Sequence, residues 1–197
     1  EALFPAQIRD VKSGIAFLRG NALRFGLDPE RFAALGPSAG GHLAVLAGVT
    51  DGIETFEPGE PVHRLGSSLQ AVVDYFGPTD FLQMDAHSIS DQIVHDHPDS
   101  PESRLIGGPV QENPALAAAA NPLTWLTPEA PPFLVIHGDA DPLVPFNQSE
   151  LLVDGLARAG VTHEFVRVEG GGHGQGGDFD TGVLEGVVAR FLGRHLG

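Results

Sequence analysis

Cysteine is absent from this chain of 197 residues. There is consequently no disulfide frame and no thiol nucleophile, and the redox compartment is left open. Basic residues are scarce: Lys12 is the one lysine, and 11 lysines and arginines face 26 aspartates and glutamates, a formal charge of −15. So acidic a surface repels phosphate backbones and anionic lipid, which argues against nucleic acid and membrane surfaces as partners. Long apolar runs are also missing, so no membrane span is expected. Glu1 opens the chain without an initiator methionine, and no basic-then-apolar leader follows it. A soluble chain of this composition fits a cytoplasmic or a secreted location equally.

What remains is enough for a folded core: 42% of residues are hydrophobic and 19% charged. The length predicts one domain over 1–197, with no repeats and no internal boundary. The organising stretch is Gly36-Pro37-Ser38-Ala39-Gly40, entered from Arg31-Phe32-Ala33-Ala34-Leu35 and left through Gly41-His42-Leu43-Ala44-Val45-Leu46-Ala47. This reads as strand, sharp turn, helix, the setting in which a serine hydroxyl is pushed out at the top of a sheet. The flanking glycines are expected because a side chain on either would collide with its neighbours. Alone, the pentapeptide also fits a glycine-rich turn with serine as a helix cap.

Around it, residues 6–25 carry Ile8, Val11, Ile15, Leu18, Ala22 and Phe25 at helical spacing, which predicts one inward face and a stop at Gly26. Strands are expected at 31–36, 69–76, 133–137 and 162–168, the third fully apolar and therefore central and parallel. Residues 51–66 read as surface loop. Residues 79–130 are polar and broken by prolines, with helix starts at Ser100-Pro101 and Asn113-Pro114, and predict a lid-like insertion over a site. Asn147-Gln148-Ser149-Glu150 has the pattern of a capping box, and 180–196 that of a last helix with Val183, Val187, Phe191 and Leu192 inward. Alternating strands and helices predict an α/β fold: a mainly parallel sheet of about four strands with helices on both faces.

A serine hydroxyl needs a base to take its proton, and the base needs an acid behind it. The third strand runs into His137-Gly138-Asp139-Ala140-Asp141-Pro142-Leu143-Val144-Pro145, and the fourth into Glu169-Gly170-Gly171-Gly172-His173-Gly174. Both loops leave the C-terminal ends of parallel strands, where open α/β sheets place their sites. Serine, aspartate and histidine follow in the α/β-hydrolase order.

With these motifs, and Phe4-Pro5-Ala6-Gln7 before the first helix, the whole chain resembles an α/β-hydrolase of the esterase/lipase type. It is most similar to bifunctional feruloyl and acetyl-xylan esterases, close to hormone-sensitive-lipase-like carboxylesterases. The resemblance implies a serine carboxylesterase acting on short-chain acyl esters through an acyl-enzyme, with Ser38 as nucleophile, His173 as base and Asp141 as acid. Asp139 is then a turn residue. The Ala39 N–H, next after the nucleophile, is an expected oxyanion donor. No metal or organic cofactor is implied. Alternatives are a prolyl-oligopeptidase-like serine peptidase and a truncated, non-catalytic α/β-hydrolase scaffold. The sequence departs from the family twice. Pro37 stands where the family carries Glu, Gln or similar. The His-Gly-Gly oxyanion loop has no counterpart among the 37 residues before Ser38, which predicts an N-terminally shortened domain, a bare edge on the first strand, and a homo-oligomer joined near residues 1–36.

Other candidates read more simply. His95-Asp96-His97 lacks a third ligand at metal spacing and reads as a solvated loop. His42 is expected to pack beneath the elbow, and His137 to be a satisfied structural histidine. Asp178 and Asp180 are reserve acids. Trp125 and Phe76 could line an acyl pocket or simply join the core.

Overall fold

The computed structural model describes residues 2–59 and 66–197. Four parallel strands, β1 (Ala33–Pro37), β2 (Ala71–Tyr75), β3 (Phe133–Gly138) and β4 (His163–Val168), lie in the order β1-β2-β3-β4. Parallel neighbours need long crossovers, and here the connections are largely helical. Helix α1 (Ala6–Gly20) and the single turn α2 (Ala22–Phe25) precede β1, and α3 (Ala39–Val49) follows it. Between β2 and β3 lie α4 (Met84–His87), α5 (Pro101–Ile106) and α6 (Pro114–Ala120). Helix α7 (Asn147–Ala159) joins β3 to β4, and α8 (Val183–Leu196) closes the chain.

The sheet is covered on both faces, as a parallel sheet requires. On one face Ile8 of α1, Leu46 of α3 and Leu152 and Leu156 of α7 pack on Val72, Phe133 and Val135. On the other, Leu184, Val188 and Phe191 of α8 pack on Val73, Leu134 and Ile136. Every residue of β3 is buried, in keeping with its apolar run. The edge strand β1 leaves Leu35 54% exposed, because α8 does not reach that end of the sheet.

Several elements differ from their sequence patterns. The 6–25 helix breaks at Asn21, whose side-chain amide donates to Phe17 O at 2.8 Å. Its buried row is Ile8, Lys12 and Ala16, while Leu18 and Phe25 face outward. Lys12 can lie inside because its Nζ donates to Thr50 O and pairs with Glu57, both at 2.5 Å. Phe56 and Glu57 are therefore core residues and not surface loop; the part of that loop at 60–65 lies outside the described residues. Asn147 is no cap: Phe146 precedes the helix without a side-chain cap bond, and Gln148 instead accepts the N–H groups of Thr79 and Asp80. In α8 Leu184, Val188 and Phe191 are buried and Val187 and Leu192 pack half-buried beside them, while Val183 is outside. Ser100 does cap α5, accepting the Ser103 N–H at 3.0 Å, with Pro101 in its first turn.

The segment 79–130 has a small core of its own, Phe81, Met84, Ile106, Val110, Ala117 and Ala120, which reaches Val144 on the loop after β3. It ties to α3 where His42 Nε2–H donates to Ala120 O at 2.8 Å.

Candidate active site

The turn after β1 is strained at one residue. Ser38 has φ 54° and ψ −123°, a conformation that a non-glycine residue holds only under constraint. The constraint is visible: its N–H donates to Tyr75 O at 2.8 Å, while its own carbonyl accepts the first bond of α3 from His42 N–H at 3.1 Å. Gly36 is required because a Cβ there would run into the backbone of Gly40. Gly40 is not crowded in the same way, since a Cβ there would meet only Pro37 Cδ at 3.4 Å. The collision expected at both glycines thus exists at the first alone. Pro37 costs the ladder nothing. Phe32 and Ser38 turn their backbone groups to β2, so the alternation of a parallel strand sends the N–H position of residue 37 to the open edge. Ala39 is the first residue of α3, so its N–H lies at the positive end of that helix.

Asp141 is buried on the loop after β3. Its Oδ1 accepts the N–H groups of Leu143 and Val144 at 2.8 and 3.0 Å. Its Oδ2 accepts from His173 Nδ1 at 2.7 Å and lies 3.3 Å from His137 Nε2. Burial pushes this carboxyl up, but the bonds from His137, His173 and the two backbone N–H groups outweigh it and hold the carboxyl well below its usual range. Because Oδ2 can only accept, Nδ1 of His173 carries a proton, and in the neutral ring Nε2 keeps its lone pair. That ring, fixed on one side and partly open on the other, can take a proton from a hydroxyl and return it.

His137 supports Asp141 from below. Its Nε2 faces Val144 O at 3.1 Å as well as Asp141, so Nε2 donates and Nδ1 accepts from Ser149 Oγ at 2.7 Å. The sequence marked this histidine as structural but carried no sign that it touches the acid. Asp139 faces elsewhere, accepting from Arg167 Nε at 2.7 Å and from Gly170 N–H at 2.8 Å, and these partners lower its pKa. Asp180 caps the Gly176 N–H, and Asp178 lies in the same short turn.

Phe76 lies at the centre of the arrangement. It follows β2 with φ 44°, and its ring centroid is 4.5 Å from that of His173. Trp125 packs edge-on against Phe56, within the core around α1 and α3. His95 is not on a solvated loop: it is buried, with Nδ1 3.1 Å from Glu102 Oε2, and its N–H donates to Asp85. Burial alone would lower the His95 pKa, but Glu102 and Asp85 raise it overall. Among the described residues, no three His, Asp or Glu side chains gather as a metal site would need.

A family model described as BD-FAE matches residues 1–156. Esterase LipQ of Mycobacterium tuberculosis is 34% identical over 158 residues, which are 80% of this chain and 35% of that protein. Among solved structures, a truncated form of a carbohydrate esterase from gut microbiota superposes with a TM-score of 0.87 at 36% identity, over 98% of this chain and 70% of that one. A bifunctional GH43-CE protein of Bacteroides eggerthii gives 0.89 at 37% identity, over all of this chain and 26% of that one. The chain spans about a third of LipQ's length. These likenesses establish the α/β-hydrolase architecture.

Proposed function

The chain belongs to the BD-FAE family, and from that premise we propose that it is a serine carboxylesterase acting on short-chain acyl esters through an acyl-enzyme. Ser38 Oγ attacks the ester carbonyl while its proton passes to His173 Nε2, and the Ala39 N–H stabilises the oxyanion. The tetrahedral intermediate collapses as His173 gives that proton to the leaving alcohol. Water, deprotonated by the same nitrogen, then releases the acid and restores Ser38. Asp141 holds the tautomer and stabilises the imidazolium. The observation that carries the reading is the 2.7 Å bond from His173 Nδ1 to Asp141, at the same end of the sheet as the strained Ser38.

The Ala39 N–H is one oxyanion donor, and removing one donor from such a hole costs about 10²–10³-fold in rate. Acyl groups on carbohydrate are the first substrates to try, since relatives carry that name. Segment 79–130 is assigned as the cover over the acyl side, and a second copy of this chain as the occupant of the open side of β1.

The test is hydrolysis of p-nitrophenyl acetate together with labelling by a phosphonate. One label per chain on the peptide holding Ser38, and loss of both label and hydrolysis in Ser38→Ala, are expected. An unlabelled Ser38, or hydrolysis surviving its loss, overturns the reading and favours a non-catalytic scaffold.

A further inference from the structure

Asp74 stands at the centre of the sheet, beside Gly36 of the elbow on β1 and Val135 on β3. Its side chain is wholly buried, where a carboxyl is costly unless its oxygens are satisfied. Only one of them is: Oδ1 accepts the Gly77 N–H at 2.9 Å, and Oδ2 has no hydrogen-bond partner. Room has been cleared for it. A Cβ at Gly41 would run into Oδ1, and one at Gly77 would lie 2.5 Å from it. An unsatisfied buried carboxyl in a slot walled by two glycines calls for an explanation that the triad does not supply.

The Gly77 bond supplies one. The chain leaves β2 through Phe76, whose left-handed φ survives only if its surroundings enforce it. On one side Phe76 N–H donates to Ile136 O at 2.8 Å, and on the other Asp74 holds Gly77. So fixed, the Phe76 ring lies against the His173 ring, and its Cζ would be 3.1 Å from a Cβ at Gly174. The same turn presents Tyr75 O to the Ser38 N–H.

We propose that Asp74 is a positioning residue for ester hydrolysis, its carboxyl closing the turn that seats the Phe76 ring against His173. The proposal rests on the serine-esterase reading for the reaction, but not for the contact itself. Asp74 touches no reacting atom; it acts through Phe76 on the orientation of the base, and through its contact with Gly41 on the first turn of α3. Burial, opposed by the Gly77 N–H, raises its pKa to about 7. At acid pH the group is then largely an uncharged acceptor, which asparagine can replace.

The experiment compares wild type, Asp74→Asn, Asp74→Ala and Phe76→Leu by kinetics on p-nitrophenyl acetate and by NMR of the His173 ring protons, which the Phe76 ring current shifts upfield. Asp74→Ala and Phe76→Leu are expected to lose about 10–100-fold in kcat with KM little changed. Both should move the His173 resonances downfield. Asp74→Asn should keep kcat within about threefold, together with the upfield shifts. A folded Asp74→Ala with wild-type kcat and shifts overturns the proposal, as does Asp74→Asn failing as badly as Asp74→Ala. If Asp74→Ala does not fold, wild-type kcat in Phe76→Leu is sufficient to overturn it. A wild type that neither hydrolyses esters nor labels at Ser38 overturns the esterase reading instead, while the shifts still report whether Asp74 seats Phe76 on His173.

Discussion

Asp139 and Asp141 leave the same strand two positions apart, yet one faces Arg167 and the other His173. If tautomer control is the acid's work, Asp141→Asn should lower kcat by about 10³–10⁴-fold, and Asp139→Asn should change it by less than about threefold. Steady-state kinetics on both variants checks the ranking, and the reverse order would move the acid to Asp139. Spacing alone could not separate the two aspartates, because their difference lies in partners on β4 and the loop beyond it. Asp74 makes a separate prediction for stability. Its folded pKa, about 7, lies above the ordinary unfolded value, so the folded chain holds the proton more tightly between those two values. Stability from this group is therefore greatest below about pH 4, declines as pH rises towards 7 and is level above. Relative to Asp74→Asn, wild type should lose up to about 4 kcal/mol across that window. Urea unfolding of both at pH 4.5 and pH 8 reads the difference; a constant gap would mean that Asp74 stays ionised throughout.

At the scale of elements, the elbow gives a test in which two glycines of one motif should behave differently. A methyl at residue 36 meets backbone that cannot yield, so Gly36→Ala should cost about 1–3 kcal/mol and most of the activity. Gly40→Ala, inside α3 and uncrowded, should stay within about 1 kcal/mol of wild type, since alanine suits a helix better. Thermal denaturation and ester hydrolysis together check the pair, and equal damage at both positions would refute the packing argument. The pattern Gly-x-Ser-x-Gly was legible as strand, turn and helix because local geometry dictates it. The apolar run of β3 was legible too, since an unbroken apolar run reports burial on both faces. What escaped the sequence depended on distant partners. The burial of Lys12 depends on Glu57, 45 residues on, which brings a carboxylate to it. His95 reads as solvated until Glu102 and Asp85 close around it. Asn147 fits a capping box, but Gln148 is drawn to the backbone of Thr79 and Asp80, and the helix begins one residue before the pattern, with Phe146 at the cap position. The partnerless oxygen of Asp74 had no signal in the sequence at all.

At the scale of the whole molecule, one side of the sheet is unfinished among the described residues. No strand lies beyond β1, Leu35 is half exposed on the face that α8 leaves open, and Leu23 of α2 is 97% exposed. Two features limit what this edge can pair with. Within β1 its outward N–H groups belong to Ala33 and Leu35 only, and Pro37 ends the row with a carbonyl but no N–H to offer. Apolar packing, more than a continued ladder, should then drive association with a second copy, and the charge of −15 should oppose it. The competition gives the prediction its sign. A dimer at micromolar concentration should strengthen as salt rises from about 50 to 500 mM, because screening weakens the repulsion and leaves burial of Leu23 and Leu35 nearly untouched. Leu23→Glu with Leu35→Glu should return the chain to monomer, while ester hydrolysis, carried at the C-terminal ends of the strands, should fall only if the neighbouring copy helps to hold β1 in place. Light scattering coupled to size exclusion, at both salt concentrations, measures the outcome. A wild type that is monomeric at both would show that the short, proline-ended edge protects itself, and would leave Leu23 and Leu35 to be covered by another segment or by nothing.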